Sequence, residues 1–396
     1  MERQYPESVV RRAMKVQEVI LRAIDGRLKW FEAAEILGVS CRSMRRLKLR
    51  FEHRGYDGLF DRRRRSPSPR RVPLETVERI LRLYREEYKG FNIRHFHELL
   101  KEEQSIELSY TWVKTALQTA GLVSKRRKRG PHRQRRERRP LAGMLVHCDG
   151  SDHGWIPALE GQRQCLVAFL DDATNEVLDA HFVPEEGTLP IMAGLKRILQ
   201  NKGLFASFYT DRAGHFFNTP RAGGKVDKEQ LTQLGRALSQ LGIEHIPSYS
   251  PQARGRMERL FGTWQGRLPN ELRRAKVCSL EHANEYLIRR FIPWHNRRLT
   301  VPAKDTGDAY VPCETADLDS ILCLRHERVV GHDNTVSLEN LRLQIPATPW
   351  RSSFAKCRVT VCRHLDDTLS VRYGSRLLAR FTLQGVLIPT SKRKVA

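Results

Sequence analysis

The sequence of 396 residues has no C-x-x-C cysteine pair, no long apolar run and no nucleotide-binding loop. Its eight cysteines therefore predict neither a zinc site nor a disulfide framework, and Cys323 with His326, the nearest approach to a ligand pair, does not make a site. Because no stretch of ~18 apolar residues occurs and Met1–Arg11 lacks an apolar signal core, we expect a cytoplasmic protein without a membrane partner. The absence of a G-x-x-x-x-G-K-[ST] loop argues against nucleotide hydrolysis.

Positive charge is what the sequence has in excess. The formal net charge is +25 and the isoelectric point is near 10.1. Residues 1–140 hold 36 Lys/Arg against 18 Asp/Glu, a net +18, and residues 141–396 hold the other 34 against 27, a net +7. Charge of this size predicts a polyanionic partner, and its distribution places the basic surface mainly in the N-terminal third.

The segment Trp30–Phe51 is typical of a helix-turn-helix, with Gly38 in the turn and Ser40 as the N-cap of the second helix. One face of that second helix is expected to pack on a core: Met44, Leu47 and Phe51. Another face carries three arginines four residues apart: Arg42, Arg46 and Arg50. A recognition helix presents such a face to the major groove, and the alternative is a solvated basic face on an ordinary helix.

The N-terminal third is expected to hold two helical domains and two basic linkers. Residues 1–60 form the first helix-turn-helix domain, and 61–73 ("DRRRRSPSPRRVP") form a linker. Residues 74–122 form a second helix-turn-helix domain, and its expected caps and stop are Asn92, Ser109 and Gly121. Residues 123–140 form a linker with ten Lys/Arg in its last sixteen positions. Phosphate contact is the default use of such a run, here by Lys125, Arg126, Arg127, Lys128, Arg129, Arg135 and Arg136.

From Leu141 onward the pattern changes to apolar runs alternating with amphipathic helices. Five runs predict strands, at 144–148, 165–170, 177–183, 205–210 and 243–246. "TLPIMAGLKRILQNKG" and "KEQLTQLGRALSQLG" predict helices, so 141–300 is expected to form a mixed α/β core. Residues 301–396 contain short strand-like runs and predict a small all-β, barrel-like module. The predicted fold class is thus multidomain, with helical, α/β and all-β parts in that order.

Three carboxylates of the α/β region lie at the end of a strand or the start of a helix, where folds commonly place functional groups. Asp149 ends the first strand, Asp211 ends the fourth, and Glu258 follows a proline-marked loop at the start of a helix. That helix carries an apolar stripe that should pack on the sheet: Met257, Leu260, Phe261, Trp264 and Leu268. Since Glu258 borders the stripe, we expect it to point along the sheet towards the strand ends.

Converging acids repel one another unless cations lie between them. Carboxylates suit Mg²⁺ or Mn²⁺, and two such ions ~4 Å apart can activate a water or a 3′-hydroxyl and stabilise the leaving oxygen of a phosphodiester. Taken singly, each acid is better explained as a cap or turn residue. Together, in this order and downstream of DNA-binding signals, Asp149, Asp211 and Glu258 predict a metal site.

Four segments resemble the DDE transposase/retroviral-integrase superfamily: "HCDGSDHGW", "FLDDATNEVLDAHF", "FYTDRAGHFF" and "SPQARGRMERLFGTWQGRLPNEL". Within it they are similar to bacterial insertion-sequence transposases of the ISNCY group, which have an integrase-type catalytic core. The resemblance covers roughly 141–300, including "PWHNRRLT", and the two helix-turn-helix units also fit such proteins. "SPQARGRMER" is the most specific segment, because G-x-x-E after a proline-led loop sets the family's last acid.

The resemblance implies an RNase H-like core that binds two Mg²⁺ or Mn²⁺ ions and cuts and joins DNA at element ends. Asp149, Asp211 and Glu258 match the two Asp and the Glu of the family's catalytic triad and would be its metal ligands. A basic residue often follows the Glu on the same helix, and Arg259 and Arg267 are the candidates. The implied partners are terminal-repeat and target DNA, bound by a homo-oligomer in the bacterial cytoplasm at the nucleoid.

Two features depart from the family pattern. Asp211 and Glu258 are 47 positions apart, against the thirty-odd typical of integrases, and the excess is expected to be a loop at "NTPRAGGKVDKEQ". The residues after Asp211 begin with Arg212 where small residues are usual. Moreover, His95 and His97 have no cysteine partners, so the N-terminal zinc unit of retroviral integrases is not expected.

Neighbouring polar residues compete with the three acids. Asp171 and Asp172 are expected to start the turn "DDATNE", with a metal role as the alternative. Gly150 is expected to end the first strand, which leaves Asp152 in a turn. His147 shares a strand face with Asp149 and could support it, although packing is the simpler role.

Two other functions are weighed against a transposase. A DNA-binding regulator without catalysis is disfavoured because all three acids are present. A structure-specific nuclease with the same sheet would cut DNA but never join ends.

Overall fold

The computed structural model describes residues 5–60, 71–125, 136–221, 224–227, 229–249, 254–314 and 317–389. Its contacts divide the chain into two compact units, Met1–Leu83 and Tyr84–Ala396. The segment that follows Tyr84 is hydrogen-bonded to the α/β core, with Asn92 bound to the Gly266 carbonyl oxygen and Glu98 to Arg267. Within the described ranges, no helix combines the length and the apolar character that crossing a membrane requires.

The first unit is helical, and its helix-turn-helix is built as predicted. The helices are α1 (Glu7–Ile24), α2 (Trp30–Ile36), α3 (Cys41–Arg54) and α4 (Leu74–Glu86), whose last residues pass into the second unit; a 3₁₀ turn spans Gly55–Leu59. Gly38 takes φ +62° between α2 and α3, and the Ser40 hydroxyl accepts the Ser43 N–H at 3.2 Å. Met44 is buried, and Leu47 and Phe51 pack against the same cluster.

Two more helices, α5 (Ile93–Glu102) and α6 (Tyr110–Thr119), open the second unit. The Asn92 side chain accepts the His95 N–H at 2.8 Å, and the Ser109 hydroxyl accepts the Trp112 N–H at 3.2 Å. Gly121 follows α6 in the left-handed region at φ +69°. Both predicted caps and the predicted stop are therefore confirmed.

A five-stranded mixed sheet forms the centre of the second unit. Its strands are β1 (Val146–Asp152), β2 (Cys165–Asp171), β3 (Val177–Val183), β4 (Ser207–Thr210) and β5 (Glu244–Pro247), and α7 (Thr188–Asn201) and α8 (Gln233–Gln240) connect the last three. The order is β3-β2-β1-β4-β5, with β1–β3 antiparallel and β4 and β5 parallel to β1. This is the RNase H-like arrangement that the resemblance implies.

Helices cover both faces of this sheet. On one face α7 and α8 bury a cluster that includes Val146, Phe169 and Leu238. The other face is covered by α9 (Gly255–Gln265), α10 (Leu268–Arg274), α11 (Leu280–Tyr286) and α12 (Ile292–Leu299), with a π-helical turn at Leu287–Phe291. The predicted apolar stripe is buried here: Met257, Leu260, Phe261, Trp264 and Leu268.

The first strand is longer than expected. We predicted that Gly150 ends it, but β1 continues through Asp152, which pairs with Cys165 of β2. The antiparallel ladder with β2 holds seven residue pairs, and these main-chain hydrogen bonds outweigh the weak strand preference of glycine. Asp149 therefore lies at the middle of β1, and Asp152 lies at its exposed end.

The C-terminal part is an antiparallel β module, as predicted, preceded by the short α13 (Leu318–Ile321). Its strands are β6 (Leu324–Val329), β7 (Thr335–Leu338), β8 (Leu341–Gln344), β9 (Arg358–Arg363), β10 (Thr368–Tyr373), β11 (Arg376–Thr382) and β12 (Leu387–Ile388). Five strands run in the linear order β12-β11-β10-β9-β6, and β7 and β8 form a separate hairpin. Both sheets share one buried apolar cluster, to which Val336 and Leu343 of the hairpin and Val361 and Val371 of the larger sheet contribute.

His295 on α12 makes the stability of the core pH-dependent. Its Nδ1 accepts the Trp264 indole N–H at 3.0 Å, its Nε2 lies 3.2 Å from the Asn175 carbonyl oxygen, and burial lowers its pKa to about 4. The unfolded chain takes up this proton below its pKa of ~6.5 and the native chain does not, so stability falls as the pH drops from ~6.5 to ~4.

The wild type should lose unfolding free energy between pH 7 and pH 4.5, and we expect His295→Gln to reduce this loss by up to about 3 kcal/mol. Urea unfolding at the two pH values measures it. His282→Gln on exposed α11 is the matched control and should follow the wild type. If the free energy of unfolding of His295→Gln differs between pH 7 and pH 4.5 by as much as that of the wild type does, this result would contradict a neutral His295.

Candidate active site

Asp149 lies on β1, and Asp211 lies beside it directly after the adjacent strand β4. β1 and β4 are parallel, and their register pairs Val146 with Phe208 and His147 with Tyr209. The same offset of 62 residues places Asp211, which directly follows β4, next to Asp149. Because Asp149 also pairs with Ala168 of β2, it faces the side of the sheet that α9 covers.

Arg254, at the N-cap of α9, bridges the two aspartates. One terminal nitrogen of its guanidinium bonds to Asp149 Oδ1, and the other lies 3.4 Å from Asp211 Oδ2. Asp211 Oδ1 also accepts the Ala213 N–H at 3.0 Å, which fixes the carboxylate on the turn after β4. The two acids thus share one cation, and the planar fork of arginine suits this shared contact.

Glu258 lies in the first turn of α9 and its side chain is exposed. It follows Arg254 by four residues, so the two side chains lie on one side of the helix. Gln265, on the same side of α9 near its other end, approaches Ser151 Oγ of β1 to 3.4 Å. This side of α9 therefore runs along β1 beside Asp149. Glu258 lies between the Arg254–Asp149 contact and the Gln265–Ser151 contact. In the part of the chain that the structure describes, no three His, Cys, Asp or Glu side chains are grouped closely enough to hold a metal ion.

A further carboxylate, Glu186, lies over the same strand and was missed by the sequence reasoning. A Cβ at Gly150 would come within 2.4 Å of Glu186 Oε2, so glycine at this position makes room for the carboxylate. Glu186 Oε1 is buried without a hydrogen bond, and His215 Nε2 lies 3.5 Å away. The available signal was its place after β3 in "VPEEG", the same strand-end position that drew attention to Asp211.

The surroundings of Asp149 disfavour its charge. Burial, with the neighbouring carboxylates Glu186 and Asp211, raises the pKa of Asp149 to about 7 even though Arg254 acts in the opposite direction. A site that holds several acids and one bridging cation lacks positive charge. Additional cations would therefore be stabilised here.

The competing acids Asp171 and Asp172 lie at a different place. Asp171 accepts the N–H and hydroxyl of Thr174 at 2.8 Å, which confirms its role in starting the turn. Asp172 is fully buried and binds Arg136, Arg256 and His147. Although burial would raise it, hydrogen bonds from His147 and the Arg139 N–H lower the pKa of Asp172 to about 2. His147 thus belongs to a buried hydrogen-bond network around Asp172 and not to simple packing.

The arginines and lysines predicted to contact DNA fall into three groups. Exposed side chains are found at Arg42, Arg46, Arg50, Lys125 and Arg259. The residues Arg126, Arg127, Lys128, Arg129 and Arg135 lie outside the described residues. Arg136 is engaged by Asp172 and lies 5.7 Å from the Tyr209 ring centroid.

Arg267 is the exception among these side chains, because it is only 6% exposed. Its Nη1 lies 2.5 Å from Glu98 Oε2, its Nε lies 3.2 Å from Glu271 Oε1, and its guanidinium stacks 3.9 Å from the Trp294 ring centroid. A side chain so enclosed is not available to phosphate. The prediction of a DNA contact at Arg267 is therefore replaced by a role in joining α5 to the core.

Known proteins resemble this chain over most of its length. A family model described as a helix-turn-helix domain matches residues 17–67. A Sinorhizobium fredii protein named as the transposase y4bF is 31% identical over 91% of this chain and 79% of its own length. The transposase for insertion sequence IS1202 of Streptococcus pneumoniae is 28% identical over 91% of this chain and 84% of its own length.

A solved structure, the HTLV-2 integrase catalytic core domain in complex with magnesium, matches 42% of this chain and 94% of its own, with 15% identity and a TM-score of 0.30. The family follows from the Sinorhizobium fredii relative, because its identity to this chain extends over most of both sequences. The chain belongs to the transposase family of this Sinorhizobium fredii relative.

Proposed function

We propose that this transposase cleaves the 3′ strand at the ends of an insertion element and joins that strand to target DNA at the Asp149–Asp211 site. The observation that carries the proposal is the pair of acids on adjacent parallel strands, bridged by Arg254, with Glu258 one helical turn further along α9. Asp172, a buried and fully paired acid, offers no comparable group to a substrate.

The donor set fits Mg²⁺ or Mn²⁺. Asp149, Asp211 and Glu258 present hard oxygen atoms, and a cation already lies between the first two. When bound, two such ions would polarise the attacking and the leaving oxygen of a phosphodiester. The carboxylates would hold the ions, and β1, β4 and α9 would fix the positions of the carboxylates. Exposure of Glu258 leaves its side chain free to turn towards the two aspartates.

We assign DNA binding to the basic surface of the protein. The arginines of α3 all lie on its exposed side and would enter the major groove of a terminal repeat. Lys125 and the basic residues after it would follow the phosphate backbone. Since joining requires two element ends and one target, we propose that the protein acts as a homo-oligomer on DNA.

A joining assay tests the proposal. Full-length protein is mixed with a duplex of the element end, with its strand either intact or already cut, and with supercoiled plasmid in Mg²⁺. We expect the cut duplex to give plasmid covalently joined to the end through its 3′-hydroxyl. Cleavage of the intact duplex without any joined product would instead assign the chain to the structure-specific nucleases.

A further inference from the structure

We propose that Arg254 is a resident counter-ion that divalent metal displaces from the two aspartates and that then binds a phosphate of the element end. The inference rests on the proposed function, because it concerns the same acids. It adds a phosphate-binding residue to the proposed catalytic centre, and the carboxylates release this residue only when metal is present.

The contacts of Arg254 support the first half of the proposal. Its two terminal nitrogens contact Asp149 Oδ1 and Asp211 Oδ2, which come from different strands and lie 105 and 43 positions away in sequence. Both oxygen atoms therefore lie within reach of a single guanidinium. A metal ion shared by the two carboxylates would need the same oxygens, so the guanidinium and the ion exclude one another.

Charge explains why the metal-free chain keeps an arginine there. Asp149 is largely buried, and Glu186 and Asp211 lie close to it. Without a cation these acids would repel one another, so Arg254 stabilises the site until metal arrives. The side chain of Arg254 is 32% exposed, and it therefore has solvent into which it can swing.

The proposed phosphate contact follows from the position that the Arg254 guanidinium occupies after metal displaces it. The backbone of Arg254 is fixed at the N-cap of α9, beside the acids. Any phosphodiester attacked at those acids comes within reach of its long side chain. Arginine binds phosphate oxygens through two parallel N–H bonds, so a phosphate next to the cut is the ligand we assign.

Metal binding in the absence of DNA tests the displacement. Mn²⁺ affinity is measured by calorimetry on full-length wild type, Arg254→Gln, Arg254→Lys, Asp149→Asn and, as the matched control, Arg163→Gln, which removes one charge from a side chain that is 78% exposed. We expect Arg254→Gln to bind Mn²⁺ about 5- to 10-fold more tightly, because it no longer competes. Arg254→Lys should fall between it and the wild type, and Arg163→Gln should match the wild type.

The outcomes distinguish an error in the proposed metal site from an error in the proposed displacement of Arg254. If Asp149→Asn binds Mn²⁺ as well as wild type does, the proposed metal site itself is wrong. If Asp149→Asn loses binding while Arg254→Gln equals wild type, the site stands and the displacement by metal is wrong. Thermal melting of each variant identifies any that does not fold, and Arg254→Lys keeps the charge if Arg254→Gln is unstable.

Binding of a precut element end tests the phosphate contact, measured by fluorescence anisotropy with Ca²⁺ or with EDTA. We expect Arg254→Gln to lose about 10-fold in affinity with Ca²⁺ and to match wild type in EDTA, since Arg254 then remains on the aspartates. An equal loss in both conditions would show that Arg254 contacts DNA without being displaced, and no loss in either would exclude the contact.

Discussion

Asp149→Asn is expected to abolish cleavage of element ends, with a loss of about 10³-fold or more, while binding of the ends stays within about two-fold of wild type. The amide keeps the size of the side chain but removes the negative charge that a metal ion requires. A 10³-fold loss corresponds to about 4 kcal/mol of transition-state stabilisation, which is in the range that metal ions contribute. End binding should be spared because we assign it to the helix-turn-helix and the basic linker at 123–140.

Cleavage of a labelled end duplex in Mg²⁺ measures this effect, and an electrophoretic shift of the same duplex measures binding. Asp152→Asn is the matched control, since it removes an acid three residues along the same strand at its exposed end. Asp211→Asn and Glu258→Gln should behave as Asp149→Asn does. Wild-type cleavage by any of these three variants would remove that residue from the site, and a cleavage defect in Asp152→Asn would shift attention to the strand end.

Arg267→Ala is expected to lower the free energy of unfolding by about 3–5 kcal/mol. The guanidinium is buried between Glu98 of α5 and Glu271 of α10, and it stacks on Trp294 of α12. Its removal leaves Glu98 with Arg298, and it leaves Glu271 with the Tyr286 hydroxyl and the buried His95, whose pKa burial lowers. The cost arises mainly because Glu98 and Glu271 each lose a cationic partner in a poorly solvated place.

Urea unfolding followed by circular dichroism measures the loss. Arg259→Ala is the control, because it removes an exposed arginine from neighbouring α9 and should change stability by no more than about 0.5 kcal/mol. In a double-mutant cycle, Glu98→Ala and Arg267→Ala should be strongly non-additive. A loss below about 1 kcal/mol together with weaker DNA binding would instead return Arg267 to the surface that contacts DNA.

The candidate active site shows which functional residues local sequence patterns can predict. Strand ends and the proline-led loop were enough to single out Asp149, Asp211 and Glu258, and the structure sets the first two side by side. Local patterns erred on the end of β1, because a ladder with β2 decides where a strand stops. They also missed Glu186, whose position over Gly150 depends on the path of the chain after β3.

The sequence by itself determined the helices, their caps, the order of strands and helices in the core, and the family. Such features depend on residues two to four positions apart, as with Ser40, Asn92 and Ser109 at their helix starts. Only the tertiary structure decided which charges meet. Arg254 reaches Asp149 across 105 positions and Arg267 reaches Glu98 across 169, so both pairings depend on how β1, α5 and α9 pack. An arginine has the same local signature whether it will face phosphate or a buried acid, and only packing distinguishes the two.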